Sequence, residues 1–363
     1  FLHVNSLIVD ILIIIFFESS PTNCYQSSFW YCCCFGFQRF AVKQDEDTTC
    51  IAIRNGRVIF VMKSTTSQDS ENLQQHVVHG DAVKDVAFRV DSIDALEQDS
   101  DITHTLIEDR NYSGTFLPGY SPVDNFPLPA TLKDIPVVLL DHVVQNYPVN
   151  GIEDAAEWFN RSMALQRFWS IDDKITTSEF SAMKAWLITN DDQKVQMTLA
   201  EAVPGRKGRS QIEVITTSSQ IRSLLKSVEF KEYVSYNGGP GIQHIALLVD
   251  DIVASVTEMR KRTVEFLEVP PSYYDILEER LKDSKVELKE DMKKLRELCI
   301  LMDFDDNGYL LQLFTRPVQD RPTLFIEIIQ RRNFNGFGAG NFKALFDAVE
   351  REQRRRGTLL VEN

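Results

Sequence analysis

Basic residues are in deficit along this chain: 39 Lys and Arg stand against 53 Asp and Glu, leaving a formal net charge of -14. The one dense basic run, Arg351, Arg354, Arg355 and Arg356, is interleaved with Glu350 and Glu352 and reads as a solvated helix end. Phosphate binding needs a basic stripe, so nucleic acid is excluded as a partner. Long apolar runs are missing too. The stretch LIVDILIIIFF, Leu7 to Phe17, is too short for the ~20 residues that span a bilayer, contains Asp10, and has no Lys or Arg before it. These features argue against an anchor or an export signal, and residues 1–27 are set apart as an atypical apolar segment expected to lie outside the fold. Cysteine is sparse. Of six, Cys24, Cys32, Cys33 and Cys34 crowd together while Cys50 and Cys299 stand alone, a spacing that forms neither a disulfide framework nor a paired zinc site and that points to a reducing compartment.

Several catalytic signatures are absent as well: there is no P-loop and no GxSxG elbow. The GFGAG of residues 336–340 follows a strand-like run, but no acidic residue follows at the dinucleotide-site distance. Nucleotide binding and serine hydrolysis are therefore weak readings.

Two turn–strand–helix segments echo each other. GDAVKDVAFRVDSI (Gly80 to Ile93) lies over GPGIQHIALLVDDI (Gly239 to Ile252), and HTLIEDRNYSG (His104 to Gly114) over IEIIQRRNFNG (Ile326 to Gly336). Two echoes in the same order indicate a duplicated module. The aligned pairs differ chemically: His244 stands where the first copy has Asp85, and Glu327 where it has Thr105. Strands are expected at Val58 to Met62, Val137 to Leu140, His244 to Val249, Leu310 to Phe314 and Leu324 to Ile329. Helices are expected at Ala155 to Ala164, Asp251 to Arg262, Tyr274 to Cys299 and Phe342 to Arg355. PLPATLKDIP, Pro127 to Pro136, is dense in proline and reads as a linker. The expected organisation is α+β, with a module at 28–126, a linker at 127–136 and a second domain at 137–363.

Histidine is also scarce. Of the six, His142 interrupts LLDHVV and His244 interrupts IQHIALLV, while Glu327 sits inside the apolar run Leu324 to Ile329. Each taken alone is best read as a hydrogen-bonded core residue. Together, two imidazoles and one carboxylate from three strands form a facial triad, the donor set of non-haem Fe(II), which leaves the opposite octahedral face open. A divalent cation would also account for a carboxylate buried without an ammonium or guanidinium partner. The rival pair His76 and His79 lacks a third ligand nearby, and Gly80-Asp81 after it reads as a solvent-facing loop.

From about Gly80 onward the chain resembles the 4-hydroxyphenylpyruvate dioxygenase family of the vicinal oxygen chelate fold. The likeness rests on LLDHVV, RFWSIDD, NGGPGIQHIAL, VPPSYYDIL, DNGYLLQLFTRPVQDRPTLFIEIIQR and NGFGAGNFKALFDAVEREQ, in that order. It implies two open βαβββ barrel domains, the N-terminal one incomplete, and Fe(II) on His142, His244 and Glu327. It implies a 2-oxo acid substrate chelated through carboxylate and keto oxygens, with dioxygen as co-substrate. The product is homogentisate, by decarboxylation and side-chain migration, in tyrosine and phenylalanine catabolism. The resemblance further implies catalytic roles for Gln312, Asn341 and Phe337. Substrate contacts fall to Gln211, Gln312, Phe314, Phe337, Asn341 and Phe342, and the helix after Gly340 acts as a gate. A cytoplasmic homodimer belongs to the same expectation.

This sequence departs from the family at five places. Ala185 and Ala200 stand where the family has Ser and Asn. The insert Val214 to Phe230 divides Ser210-Gln211-Ile212 from Lys231-Glu232-Tyr233-Val234, which in the family run together as one strand. The join Ala95 to Leu106 is short, and residues 1–27 replace an initial strand. These features keep two alternatives open: an enzyme like 4-hydroxymandelate synthase, and a non-catalytic or misassembled member of the same fold.

Overall fold

The computed structural model describes residues 8–16, 23–67, 76–90, 103–108, 111–171, 182–203, 229–336 and 338–356. Two mixed sheets carry the fold. The first is built from β1 (Ile8–Phe16), β2 (Gln38–Gln44), β3 (Thr48–Asn55), β4 (Val58–Thr65), β5 (Ala82–Val90), β6 (Leu106–Ile107) and β7 (Ser121–Pro122), in the order β6-β5-β1-β4-β3-β2-β7. The second comprises β8 (Leu139–Tyr147), β9 (Gln166–Ile171), β10 (Ala182–Thr189), β11 (Gln196–Val203), β12 (Gly241–Leu248), β13 (Leu301–Phe304), β14 (Tyr309–Phe314) and β15 (Phe325–Arg332). Its order is β13-β14-β15-β12-β8-β11-β10-β9.

The duplication is visible in the pairing. In one sheet β1 runs parallel to β4 and antiparallel to β5, and β5 runs parallel to β6. In the other β8 stands in the same relations to β11 and β12, and β12 to β15. The first sheet has no counterpart of β13 and β14 among the described residues. Ile8–Phe16 thus occupies the central place that β8 holds in its own sheet, which corrects the expectation that residues 1–27 lie outside the fold and that the initial strand is missing. Apart from Asp10 the run is apolar throughout and carries no period to assign a face, and such runs suit strands paired on both sides.

Helices flank the sheets: α1 (Asn23–Phe35), α2 (Ile152–Met163), α3 (Glu229–Asn237), α4 (Ile252–Lys261), α5 (Pro271–Lys282), α6 (Met292–Leu298) and α7 (Phe342–Arg356). The single helix expected over Tyr274 to Cys299 is divided into α5 and α6. Asp291 caps α6 by accepting from Lys293 N at 2.9 Å. Between the two helices Val286 and Leu288 alternate with charged residues and pack on the core, a period of two that a helix cannot use. Lys231 to Val234 lies within α3 and does not continue a strand, while Ser210 to Ile212 falls outside the described residues. Residues 76–79 are helical, with both histidines half-buried, where a solvent-facing loop was expected. His79 Nδ1 lies 2.7 Å from Asn237 O.

One apolar core runs through both sheets, from Phe37, Phe60 and Phe88 to Phe159, Ile245 and Ile326. A second lies inside the eight-stranded sheet. Ile171 of β9 and Leu301 of β13, at opposite ends of the strand order, share it with Val144, Ala185, Ala200, Phe314, Phe325 and with Phe342 and Leu345 of α7. Ends so far apart in strand order meet one cluster only if the sheet curls, and α7 lies along the open side. No helix among the described residues is long and apolar enough to cross a membrane.

Candidate metal centre

Three adjacent strands, β8, β12 and β15, bring His142, His244 and Glu327 together. All three side chains are buried, and one ligand atom from each lies within 4.8 Å of the others. Glu327 Oε2 is 3.1 Å from His142 Nε2 and 3.3 Å from His244 Nε2. It is the only group of three such residues among the described ones.

The strands reach this arrangement through two irregularities. The β8/β12 register skips Gln243 on one strand and Asp141 on the other. A bulge lets the extra residue leave strict alternation, so the residue before each histidine can turn onto its ring. His142 Nδ1–H donates to Asp141 Oδ1 at 2.8 Å, and His244 Nδ1–H donates to Gln243 Oε1 at 3.0 Å. In the neutral ring these acceptors hold the proton on Nδ1, so that each Nε2 lone pair faces the centre, the tautomer that a metal requires. Asp141 in turn accepts from Arg331 Nε at 2.7 Å and Nη2 at 2.8 Å. The ring of His244 stacks on Phe325 at 4.7 Å and meets the edge of Phe314 at 5.9 Å. Of these supporting residues the sequence pointed only to Phe314, although the adjacent pairs Asp141-His142 and Gln243-His244 were a signal for two of the others.

The electrostatics follow from burial set against charge. Burial alone would lower His142, but Glu327 on one nitrogen and Asp141 on the other outweigh it and push it up to about 9. Burial lowers His244, whose second partner is a neutral amide. Burial would raise Glu327, and the two imidazoles more than reverse that. Asp141 is likewise held well below the usual carboxylate range, since the Arg331 guanidinium overcomes its burial. Without a cation the centre thus holds an anionic Glu327 against a protonated His142, and a metal binds there by displacing the His142 Nε2 proton. Two imidazole nitrogens, one carboxylate oxygen and fixed tautomers fit a divalent transition metal.

Gln312 and Phe314 lie on β14, where Phe314 pairs across from Glu327. Asn341 and Phe342 are buried where α7 begins. Tyr273 Oη donates to Asn341 Oδ1 at 2.7 Å and accepts from Met302 N at 2.9 Å. That fixes the amide so that Nδ2, which has no partner, points away from the tyrosine; Gln312 Oε1 is unpartnered too. Gly338, at φ +75, sits against Gln312 Oε1 so closely that a side chain there would collide with it. Gln211 and Phe337 fall outside the described residues. In the first copy Asp85 accepts from Thr105 Oγ1 at 2.5 Å and Thr105 N at 3.1 Å. The positions of His244 and Glu327 are thus in contact there too, with a hydrogen bond in place of metal donors.

Residues 139–313 match the Glyoxalase/Bleomycin resistance protein/Dioxygenase superfamily, the class that the repeated strand modules and the His-His-Glu centre define. A Caenorhabditis elegans protein, C31H2.4, is 51% identical over 94% of this chain and 97% of its own length. A 4-hydroxyphenylpyruvate dioxygenase of Caenorhabditis elegans is 42% identical over 94% of this chain and 92% of its own. A variant of 4-hydroxymandelate synthase from Streptomyces coelicolor superposes with a TM-score of 0.74 at 29% identity, over 96% of this chain and all of that one. The chain belongs to the 4-hydroxyphenylpyruvate dioxygenase family.

Proposed function

We propose that this chain converts 4-hydroxyphenylpyruvate and dioxygen to homogentisate, with His142, His244 and Glu327 holding Fe(II). The observation that carries the reading is the convergence of these three donors within 4.8 Å in a chain 42% identical to an enzyme of that name over nearly its whole length. Bound Fe(II) supplies the chelation of the oxo acid and the reduction of dioxygen. The protein supplies position. Asp141 and Gln243 hold the imidazoles in the binding tautomer. Phe314 and Phe325 enclose the ring of His244 and keep water from that side. Asn341, oriented by Tyr273, offers an N–H donor to a substrate oxygen, and Gln312 Oε1 offers an acceptor to a substrate hydroxyl. Phe342 adds an apolar wall beside Phe314 and Phe325, against which a flat aryl group packs. Phe337 and Gln211 belong to the same proposal through the resemblance alone, as do the homodimer and the cytoplasmic location.

The test is anaerobic titration of the Fe(II)-loaded protein with 4-hydroxyphenylpyruvate, followed by admission of oxygen and product analysis. The expected results are a charge-transfer band of a chelated 2-oxo acid and then homogentisate. Hydroxymandelate as product would transfer the chain to the reaction named for its structural neighbour. Metal binding without the band would leave a non-catalytic member of the fold.

A further inference from the structure

The interior face of β8 carries His142, Val144 and Asn146, and that of β11 carries Thr198 and Ala200. Alternation sets the faces: Val144 and Ala200 lie in the cluster with Phe314, Phe325 and Phe342, whereas Val143, Met197 and Leu199 lie in the core shared by the two sheets. In register, Ala185 pairs with Ala200, Ala200 with Asn146, and Thr198 with Val144. Two methyl groups thus lie alongside an amide and a hydroxyl.

Asn146 is 1% and Thr198 1% exposed, and neither Nδ2 and Oδ1 of the one nor Oγ1 of the other has a hydrogen-bond partner. A buried polar group left so keeps its full desolvation penalty, and two stand at diagonal positions on one concave face. Gln145 is unpartnered as well, but it belongs to the opposite face, away from His142. At ~3.3 Å per residue, Thr198 lies about 7 Å and Asn146 about 13 Å along β8 from the level of His142. A ligand chelated at the centre by its oxo acid, with its aryl end laid along β8, would pass Val144 and approach that level.

We infer that Thr198 and Asn146 form a polar subsite that receives a neutral hydrogen-bonding substituent, such as a hydroxyl, at the far end of an aryl 2-oxo acid. An amide and a hydroxyl each both donate and accept, which suits a phenol, and the small Ala185 and Ala200 leave room beside them. The assignment rests on the proposed function for the ligand's other end.

The experiment compares 4-hydroxyphenylpyruvate with phenylpyruvate on the anaerobic Fe(II)-loaded protein, in the parent, Thr198→Val and Asn146→Leu. Thermal unfolding of the ligand-free proteins is measured in parallel. Each variant is expected to lose about ten-fold in affinity for the hydroxylated acid, the size of one hydrogen bond, with phenylpyruvate unchanged. Because neither side chain has a protein partner to lose, the unfolding midpoints stay level or rise. Unchanged discrimination in both variants, or a fall of several degrees in Thr198→Val, overturns the subsite. If the parent binds neither acid, the proposed function falls and this assignment with it; if it binds both equally, only the subsite falls.

Discussion

Asp141 and Arg331, 190 residues apart in the chain, meet as a two-pronged ion pair at 2.7 and 2.8 Å directly behind His142. The pair ties β8 to β15 and completes the chain of contacts from guanidinium to carboxylate to imidazole. Arg331 also donates to the carbonyls of Phe334 at 3.1 Å and Gly336 at 2.7 Å, so one side chain anchors both the histidine support and the approach to α7.

Replacing Arg331 by Leu leaves the buried Asp141 carboxylate unpaired. Breaking a buried pair costs about 3–5 kcal/mol, and disturbing the support of a ligand weakens metal affinity about 10–100-fold. Denaturant unfolding and Fe(II) titration check the two effects.

Gln243→Leu removes the acceptor that holds the His244 tautomer without unpairing a charge. Metal affinity is expected to fall within the same 10–100-fold range while stability changes far less than in Arg331→Leu. Parallel unfolding and titration curves separate the two variants.

Metal should stabilise the folded chain by linkage, by about 2.7 kcal/mol at a free concentration one hundred times Kd. Glu327→Ala is expected to abolish that increment, and Asp85→Ala, at the position of the first copy that matches His244, to leave it intact. Unfolding with and without Fe(II), and a stoichiometry of one metal per chain by elemental analysis, test this.

Tyr273→Phe frees Asn341 to turn its amide. Affinity for 4-hydroxyphenylpyruvate should fall several-fold with Fe(II) binding unchanged. The loss should vanish in an Asn341→Ala background, because residues that act through one another are not additive. Equal losses in both backgrounds would assign Tyr273 a merely structural part.

His104 sits among the rings of Phe88, Trp158 and Phe159 at 5.9, 5.6 and 5.1 Å. Burial pushes its pKa down from 6.5 to about 4. The folded value lies below the unfolded one, so the unfolded chain takes up the extra proton first as pH falls. Stability is full above about pH 6.5, declines through the window and is lost below about pH 4, by up to about 3 kcal/mol. Urea unfolding of the parent and of His104→Phe across that range should show this acid limb in the parent alone.

The metal donors were legible in sequence because chelating groups inside apolar strands are chemically conspicuous. His142, His244 and Glu327 each break a run that packing alone would fill with Val or Leu. The duplication was legible because a strand–helix unit repeats its glycine and its alternation, down to the contacting pair Asp85 and Thr105. The helix break at residues 283–291 was less so: charged residues fit an exposed helix as well as a turn, and only the capping by Asp291 decides.

By itself the sequence determined which residues could bind a cation and which runs would be strands, since those depend on residue chemistry and local period. The tertiary structure alone decided what lies behind and beside them. The guanidinium that steadies Asp141, the two bulges that turn Asp141 and Gln243 toward their histidines, the place of Ile8–Phe16 in mid-sheet, and the adjacency of Thr198 to Asn146 are all matters of register between distant segments. Register is set by how many weak contacts sum across neighbouring strands, and no single stretch of chain contains that sum.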